Sequence, residues 1–251
     1  METRPTHEDA DVAAEVISIL KEDGIEVLLN SQALEVKEDA EGRIQLRVRT
    51  AEGERVLSGS HLLVAVGRVP NTERLNLAAA GAPSTRTTAW KRACPESMPS
   101  ATSLVDLRSS TFHTMTTASC GLTCLTEAMR PRLTASHPHV VFMDPQLGGI
   151  GLTERQARKQ GLEVRVAKMP MNPVASALEV DEPHGLMKAI VDAESDQILG
   201  AAILGIEGGE VMTMLQMAML GDLPYAVLRD AVFAHPTLAE SMNNLFARLD
   251  T

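Results

Sequence analysis

The stretch VVFMDPQLGGIGLTERQARKQG, residues 140–161, decides how the second half of the chain is read. Val140–Phe142 is short, apolar and partly β-branched, which predicts a strand. Thr153–Gln160 reads as a helix, opened by the Thr153-Glu154 pair and closed by Gly161. Toward the C-terminus, Val164–Met169, Gly185–Asp192 and Ile198–Leu204 read as strands, the last two split by the polar turn Ala193–Gln197. Three helices are expected after them: Glu210–Leu220, Pro224–Val232 and Leu238–Leu249. Strands grouped together and then helices grouped together predict an α+β domain over residues 137–251.

Working outward in the other direction, residues 1–81 read as ordinary α/β. Val12, Val16, Ile19 and Leu20 stand close to helical spacing within Asp11–Leu20, and Gly24 is a stop signal. Ile25–Leu29, Ala33–Lys37, Ile44–Arg49 and Arg55–Leu57 are expected strands, with Glu41-Gly42 as a turn. His61–Val66 (HLLVAV) is a continuous apolar run ending at Gly67, the pattern of a strand buried on both faces.

Composition limits the function classes. Of 251 residues, 23 are Lys or Arg and 33 are Asp or Glu, a net charge of −10. That balance argues against a nucleic-acid or acidic-membrane surface, both of which need clustered positive charge. No apolar run approaches the roughly 20 residues of a membrane span. The start METRPTHEDADVAAEV lacks an apolar secretory core, so a cytoplasmic protein is expected. Three cysteines cannot build a disulfide framework.

Residues 82–136 break the pattern. Their 55 residues hold 19 Ser or Thr, one Gly (Gly121), one Val (Val105) and no Ile. All three cysteines and the single Trp, Trp90, lie here, and neither a helical nor a strand period persists. Disorder is the plain reading of such a composition.

Four segments carry a resemblance. HLLVAVGRVPNTERLNLAAAGA (61–82) resembles the close of the NAD(P)-binding domain in class I pyridine nucleotide–disulfide oxidoreductases, the group of glutathione reductase, dihydrolipoamide dehydrogenase and mercuric reductase. Residues 140–161 resemble the entry to that family's dimerisation domain. ILGAAILGIEGG (198–209) and AHPTLAESMNNLF (234–246) resemble its later strand and its terminal catalytic segment. The four occur in the family's order, and the last looks nearest to the mercuric-reductase-like and reactive-chlorine-resistance branches.

The resemblance implies an α/β fragment, the end of a dinucleotide-binding domain in 1–81, followed by a C-terminal dimerisation domain in 137–251 with an antiparallel sheet and helices. Two Gly-rich fingerprints, for FAD and NAD(P)H, and a paired redox cysteine motif belong to the family. No G-x-G-x-x-G followed by a helix occurs in this sequence. The chain therefore reads as a C-terminal fragment, expected to retain neither FAD nor NAD(P)H on its own.

The same family carries a flavin-contacting T-S-x-P-G-x-Y-A-x-G-D segment where this sequence has residues 82–136. Permitted codons for Lys91–Thr102, read one frame over, can encode T-S-V-P-G-V-Y-A-L-G-D-V. Arg108–Thr117 can likewise encode F-I-H-I-S-Y-D-D-Y-R, one Asp being forced by Met115 followed by Thr116. Residues 82–136 thus read as a frame-shifted remnant of the FAD-domain segment, which accounts together for the Ser/Thr excess and the lost glycines.

Several residues invite a chemical role. Cys120-x-x-x-Cys124 with His113 nearby suggests metal or redox chemistry, but zinc needs four ligands and no second pair exists. Gly205, Gly208 and Gly209 precede a helix and could cradle a phosphate, yet their spacing fits no nucleotide fingerprint. Met212, Met214, Met217 and Met219 are read as core or subunit interface rather than a soft-metal site. The C-terminal Leu249-Asp250-Thr251 lacks the cysteine pair of mercuric reductases, which argues against mercury as substrate.

Thr237-x-x-Glu240 has the spacing of a capping box at the start of the last helix. The resemblance implies a second role for the same segment. His235 would cross the dimer interface toward the partner's flavin-side thiol as acid–base, with Glu240 orienting its imidazole. It also implies that the backbone at Gly67, and less directly at Ala33, faces the nicotinamide nucleotide. The expected function is that of a fragment of an FAD-dependent NAD(P)H oxidoreductase, homodimeric or paired with a full-length homologue, with a disulfide or metal ion as acceptor. The rival readings are a non-catalytic dimerisation module and a gene remnant.

Overall fold

The computed structural model describes residues 8–66 and 138–249, which fall into two compact units. The smaller holds 17–66 and the larger holds 8–16 together with 138–249. Gly67 and the segment 82–136, with Cys120, Cys124 and His113, lie outside the described residues.

Helix α1 (Ala10–Glu22), whose residues from 17 onward belong to the smaller unit, ends where Gly24 takes φ +80°. The Gly24 N–H donates to the Lys21 carbonyl (3.0 Å) and the Ile25 N–H to Leu20 (2.9 Å). This pair of bonds closes the helix and uses the freedom only glycine has at that φ. Strands β1 (Gln32–Glu38), β2 (Ile44–Thr50) and β3 (Gly53–Gly59) form an antiparallel meander. In β2, Val48 is buried, while Arg47 and Arg49 point outward and pair with Glu35 and Glu54.

Two expected strands are not formed. Residues 25–28 are irregular, and 61–66 run without a ladder, leaving Leu63 90% and Val66 88% exposed. A strand is defined by its neighbours' hydrogen bonds, and no described strand lies beside either segment. The apolar run His61–Val66 carries the composition of a buried strand without the partners that would bury it.

The larger unit is built on an antiparallel sheet in the order β4-β5-β8-β7-β6. Its strands are β4 (His139–Val141), β5 (Leu147–Gly151), β6 (Val164–Pro170), β7 (Leu186–Asp192) and β8 (Ile198–Leu204). Helices α2 (Glu154–Lys159), α3 (Ala175–Glu179), α4 (Gly208–Leu220), α5 (Tyr225–Asp230) and α6 (Ser241–Phe246) complete it. The α+β expectation holds here, and β7 and β8 are buried along most of their length. Met169, Met187, Ile203, Leu215, Met242, Leu245 and Phe246 fill the core. No described helix is long and apolar enough to cross a membrane.

Helix α4 lies close on β5. A Cβ on Gly148 would fall 2.4 Å from the Gly208 carbonyl oxygen, so the contact tolerates no side chain. The last two helices are shorter than their apolar spacing predicts, and α3 carries no sequence signal that marked it. At α2 the cap is real but differs in partner. Thr153 Oγ1 accepts from the Gln156 N–H (3.2 Å), and Gln156 Oε1 accepts from the Thr153 N–H (3.0 Å), while the Glu154 carboxylate points elsewhere.

Candidate acid–base site

Residues 231–240 leave α5 as an extended segment and turn back into α6. Phe233 and Leu238, both partly buried, anchor it on the apolar core. Within it, Thr237 Oγ1 donates to the Ala234 carbonyl (2.7 Å). His235 Nδ1 and Glu240 Oε2 are 2.8 Å apart. The imidazole is 71% exposed and the carboxylate only 18%.

This arrangement corrects the expected capping box. Glu240, not Thr237, occupies the position before α6, with φ −63° and ψ −20° and no side-chain cap bond. Thr237 spends its hydroxyl proton on Ala234 instead. The Glu240 carboxylate is taken by the imidazole, since a charged or donor ring nitrogen is a stronger partner than a backbone N–H.

The pairing fixes the chemistry of the ring. An ionised carboxylate only accepts, so Nδ1 carries the proton. In the neutral imidazole Nε2 then holds the lone pair, and it has no partner among the described residues. A histidine so held can take a proton from, or return it to, a group brought up from outside.

Ala33 lies in β1, exposed and opposite Val48, in the smaller unit. His235 and Glu240 are brought together; Gly67 lies outside the described residues. The glycines that open α4 are occupied by packing. A Cβ on Gly208 would fall 2.6 Å from both the Gln146 and Ile203 carbonyl oxygens, and Gly209 N–H faces Gln146 Oε1 at 3.3 Å. Their close packing on Gln146 and Ile203 gives these glycines a structural role in seating α4 on the sheet. The methionines separate: Met212 is in the core, Met214 and Met219 pack at its margin, and Met217 is 62% exposed. Among the described residues no cluster of His, Cys, Asp or Glu could hold a metal.

A second polar cluster went unread in the sequence. Lys188, in the middle of β7, has a side chain only 3% exposed. Its Nζ lies 2.8 Å from Glu154 Oε2, 3.0 Å from Asp9 Oδ2 and 3.1 Å from Asp11 Oδ1. Asp9 also accepts from the N–H groups of Glu154 (2.9 Å) and Arg155 (3.1 Å) at the start of α2. Burial alone would raise Asp11, but hydrogen bonds from Lys168 and Lys188 outweigh it and bring its pKa down to about 2. Burial would lower Lys188, and the hydrogen bonds it donates to Glu154, Asp9 and Asp11 raise it instead. The signals were a lone Lys inside LMKAIVD and the acidic run Glu8–Asp11. Each becomes informative only when the fold sets them side by side.

Comparison with known proteins gives two matching family descriptions. "Pyridine nucleotide-disulphide oxidoreductase" matches residues 1–90, and the dimerisation domain of the same name matches residues 137–246. RclA of Escherichia coli, a pyridine nucleotide-disulfide oxidoreductase, is 30% identical over 260 residues, covering 96% of this chain and 55% of its own length. Dihydrolipoyl dehydrogenase of Thermus scotoductus is 29% identical over 261 residues, covering 93% and 52%. The chain spans about half the length of these relatives. The solved structure of the HOCl-induced flavoprotein disulfide reductase RclA matches with TM-score 0.81 at 28% identity, covering 96% of this chain and 56% of that one. A Cu(II) complex of the same protein matches equally well, with TM-score 0.81.

Proposed function

This chain belongs to the pyridine nucleotide-disulphide oxidoreductase family, and on that premise we propose that it carries part of an FAD-dependent NAD(P)H oxidoreductase, contributing the acid–base histidine of its electron-acceptor side. The observation that carries the reading is the 2.8 Å contact between His235 Nδ1 and Glu240 Oε2, which leaves Nε2 exposed to act on an incoming thiol. FAD and NAD(P)H supply hydride and electron transfer in the complete enzyme. What this chain's own residues do there is hold and move a proton at Nε2.

The acceptor is a disulfide or a metal ion. Reduction of a disulfide releases thiolates, and a thiolate that leaves or attacks needs a proton partner in reach. The names of the RclA structures, a disulfide reductase and a Cu(II) complex, support both alternatives. The relatives described above are not mercuric reductases. Gly67 and Ala33 are assigned to the nucleotide side in the complete enzyme. A cytoplasmic location goes with this chemistry.

Self-association is the partner reading. Met217, Leu223, Val227 and Val232 on α4, α5 and the turns beside them are exposed apolar residues of the larger unit, available to a second copy or to a full-length homologue. A dimerisation module without catalysis is the alternative this surface favours. Residues 82–136 are kept as a frame-shifted remnant of the FAD-domain segment, although the family match to residues 1–90 reaches into its first nine residues.

The test begins with the gene. Restoring the shifted frame across 82–136 and supplying the half present in the relatives should yield a yellow protein that oxidises NAD(P)H with a disulfide or Cu(II) as acceptor. A restored protein that dimerises without consuming NAD(P)H would leave only the dimerisation module.

A further inference from the structure

Asn243 stands on α6, half-buried, and its Nδ2 lies close to three backbone carbonyls: Leu228 (2.9 Å), Arg229 (2.8 Å) and Ala231 (2.9 Å). These are carbonyls that the end of α5 leaves without helical partners. No glycine follows α5 to close it by a backbone turn; the residue after Asp230 is Ala231, already extended at φ −65° and ψ 148°. A side chain from the next helix therefore does the closing. It sets the direction in which the chain leaves α5 toward His235.

The segment is held at few other points. Val232 is fully exposed, and between Asn243's carbonyls and the His235–Glu240 contact only Phe233 touches the core. Glu240 lies three residues before Asn243 on the other arm of the same turn. The amide thus ties the arm carrying His235 to the helix that follows the arm carrying Glu240.

We propose that Asn243 is the positioning residue of the acid–base pair: by binding the Leu228, Arg229 and Ala231 carbonyls it holds His235 Nδ1 against Glu240, and so keeps the lone pair on Nε2. This rests on the reading of His235 and Glu240 as a functional pair. Asn243 touches neither substrate nor the ring. Its effect travels through the backbone it clamps.

The tautomer of His235 reports this directly. In the full 251-residue chain, labelled with ¹⁵N-histidine and held at pH 8.5 where an ordinary imidazole (pKa about 6.5) is neutral, long-range ¹H–¹⁵N spectra distinguish Nδ1–H from Nε2–H. The His235 signals are identified by their loss in His235→Gln. A charge-assisted bond predicts at least a roughly tenfold preference for Nδ1–H in the unaltered chain. Asn243→Ala, and Asn243→Asp, which keeps the shape but removes the donors, should each cut that preference about threefold or more. Met242→Ala removes a fully buried side chain next door, so it should lower the melting temperature while leaving the tautomer ratio in place.

If the unaltered chain shows no Nδ1–H preference, the acid–base pair itself fails. If that preference is present and survives both Asn243 variants, the pair stands and the positioning role is overturned. A shift of equal size in Met242→Ala, or loss of the whole fold in both Asn243 variants, would overturn it too, by making Asn243 a general stabiliser.

Discussion

Asp9 Oδ2 and Lys188 Nζ lie 3.0 Å apart, tying the residues just ahead of α1 to the middle of β7. Because Glu154 and Asp11 converge on the same ammonium, the cation is taken out of water with its compensation in place. Deleting the cation alone leaves three carboxylates facing one another. Lys188→Ala should therefore cost about 3–5 kcal/mol, read as a lower urea midpoint. An unchanged midpoint would mean the cluster is solvated in practice.

The residues matching the dimerisation domain begin at 137, yet residues 8–16 belong to the same compact unit. A piece comprising 137–251 keeps Glu154 but loses Asp9 and Asp11. In that piece Lys188 is under-compensated, so Lys188→Met should be neutral or stabilising there, although it destabilises the whole chain. Comparing thermal midpoints in the two contexts tests this. A loss of the same size in both would place the partners of Lys188 within 137–251 alone.

The same cluster predicts a pH dependence. Asp11 is brought from the ordinary 3.8 to about 2 in the fold, a depressed carboxylate, so its stabilisation is complete above the unfolded value and disappears as pH falls through 3.8 toward 2. Asp9 and Glu154 are displaced in the same direction: burial opposes the shift at Asp9, with hydrogen bonds from Lys188 and α2 overcoming it, while at Glu154 the bond from Lys188 leads. Lys188 is raised from 10.5, so its contribution is present below that value and is lost as pH climbs through the folded one. Unfolding free energy should fall between about pH 5 and pH 2, and Asp11→Asn should flatten that limb. An unaltered acid limb in Asp11→Asn would remove Asp11 from the account.

Two threonines with capping-box spacing separate what the sequence shows from what it hides. Thr153 forms the box with Gln156, so Thr153→Ala should cost about 1 kcal/mol in stability. Thr237 does not cap α6, and Thr237→Ala should leave helix content intact while loosening the Ala234 turn. Equal losses of helical circular dichroism in both variants would contradict the distinction. Local spacing identifies a cap only when no stronger partner competes for its members, and at Glu240 the competitor was His235. For a similar reason β6, β7 and β8 were legible from their apolar runs and turns, while Ile25–Leu29 and His61–Val66 were not. The first three have their partners in the described sheet; the other two have none there. Asn243 gave no local signal, because its partners are carbonyls at the end of α5, and Lys188 gave only a weak one, because its carboxylates come from Asp9, Asp11 and Glu154, far away in sequence.

The decisive chemical test concerns His235 in the protein completed as described above. General acid–base help is worth about 10²–10⁴-fold, so His235→Ala should lower thiol-linked turnover by that order while leaving nucleotide affinity nearly unchanged. Glu240→Ala should give a milder loss, because the imidazole remains but is free to take the other tautomer, with Nε2 protonated and unable to accept. Glu240→Gln is more informative still. An amide can offer its oxygen to Nδ1–H without the charge, so it should retain more turnover than Glu240→Ala at every pH. The two halves of the site are expected to come from different subunits. Mixing His235→Ala subunits with subunits lacking the redox cysteines should then rebuild one working site per mixed dimer, and part of the activity should return. Absence of any recovery, with mixed dimers confirmed by mass, would put the histidine and the thiols on the same subunit. Unchanged turnover in His235→Ala itself would reduce the residue to an exposed ring on the turn into α6.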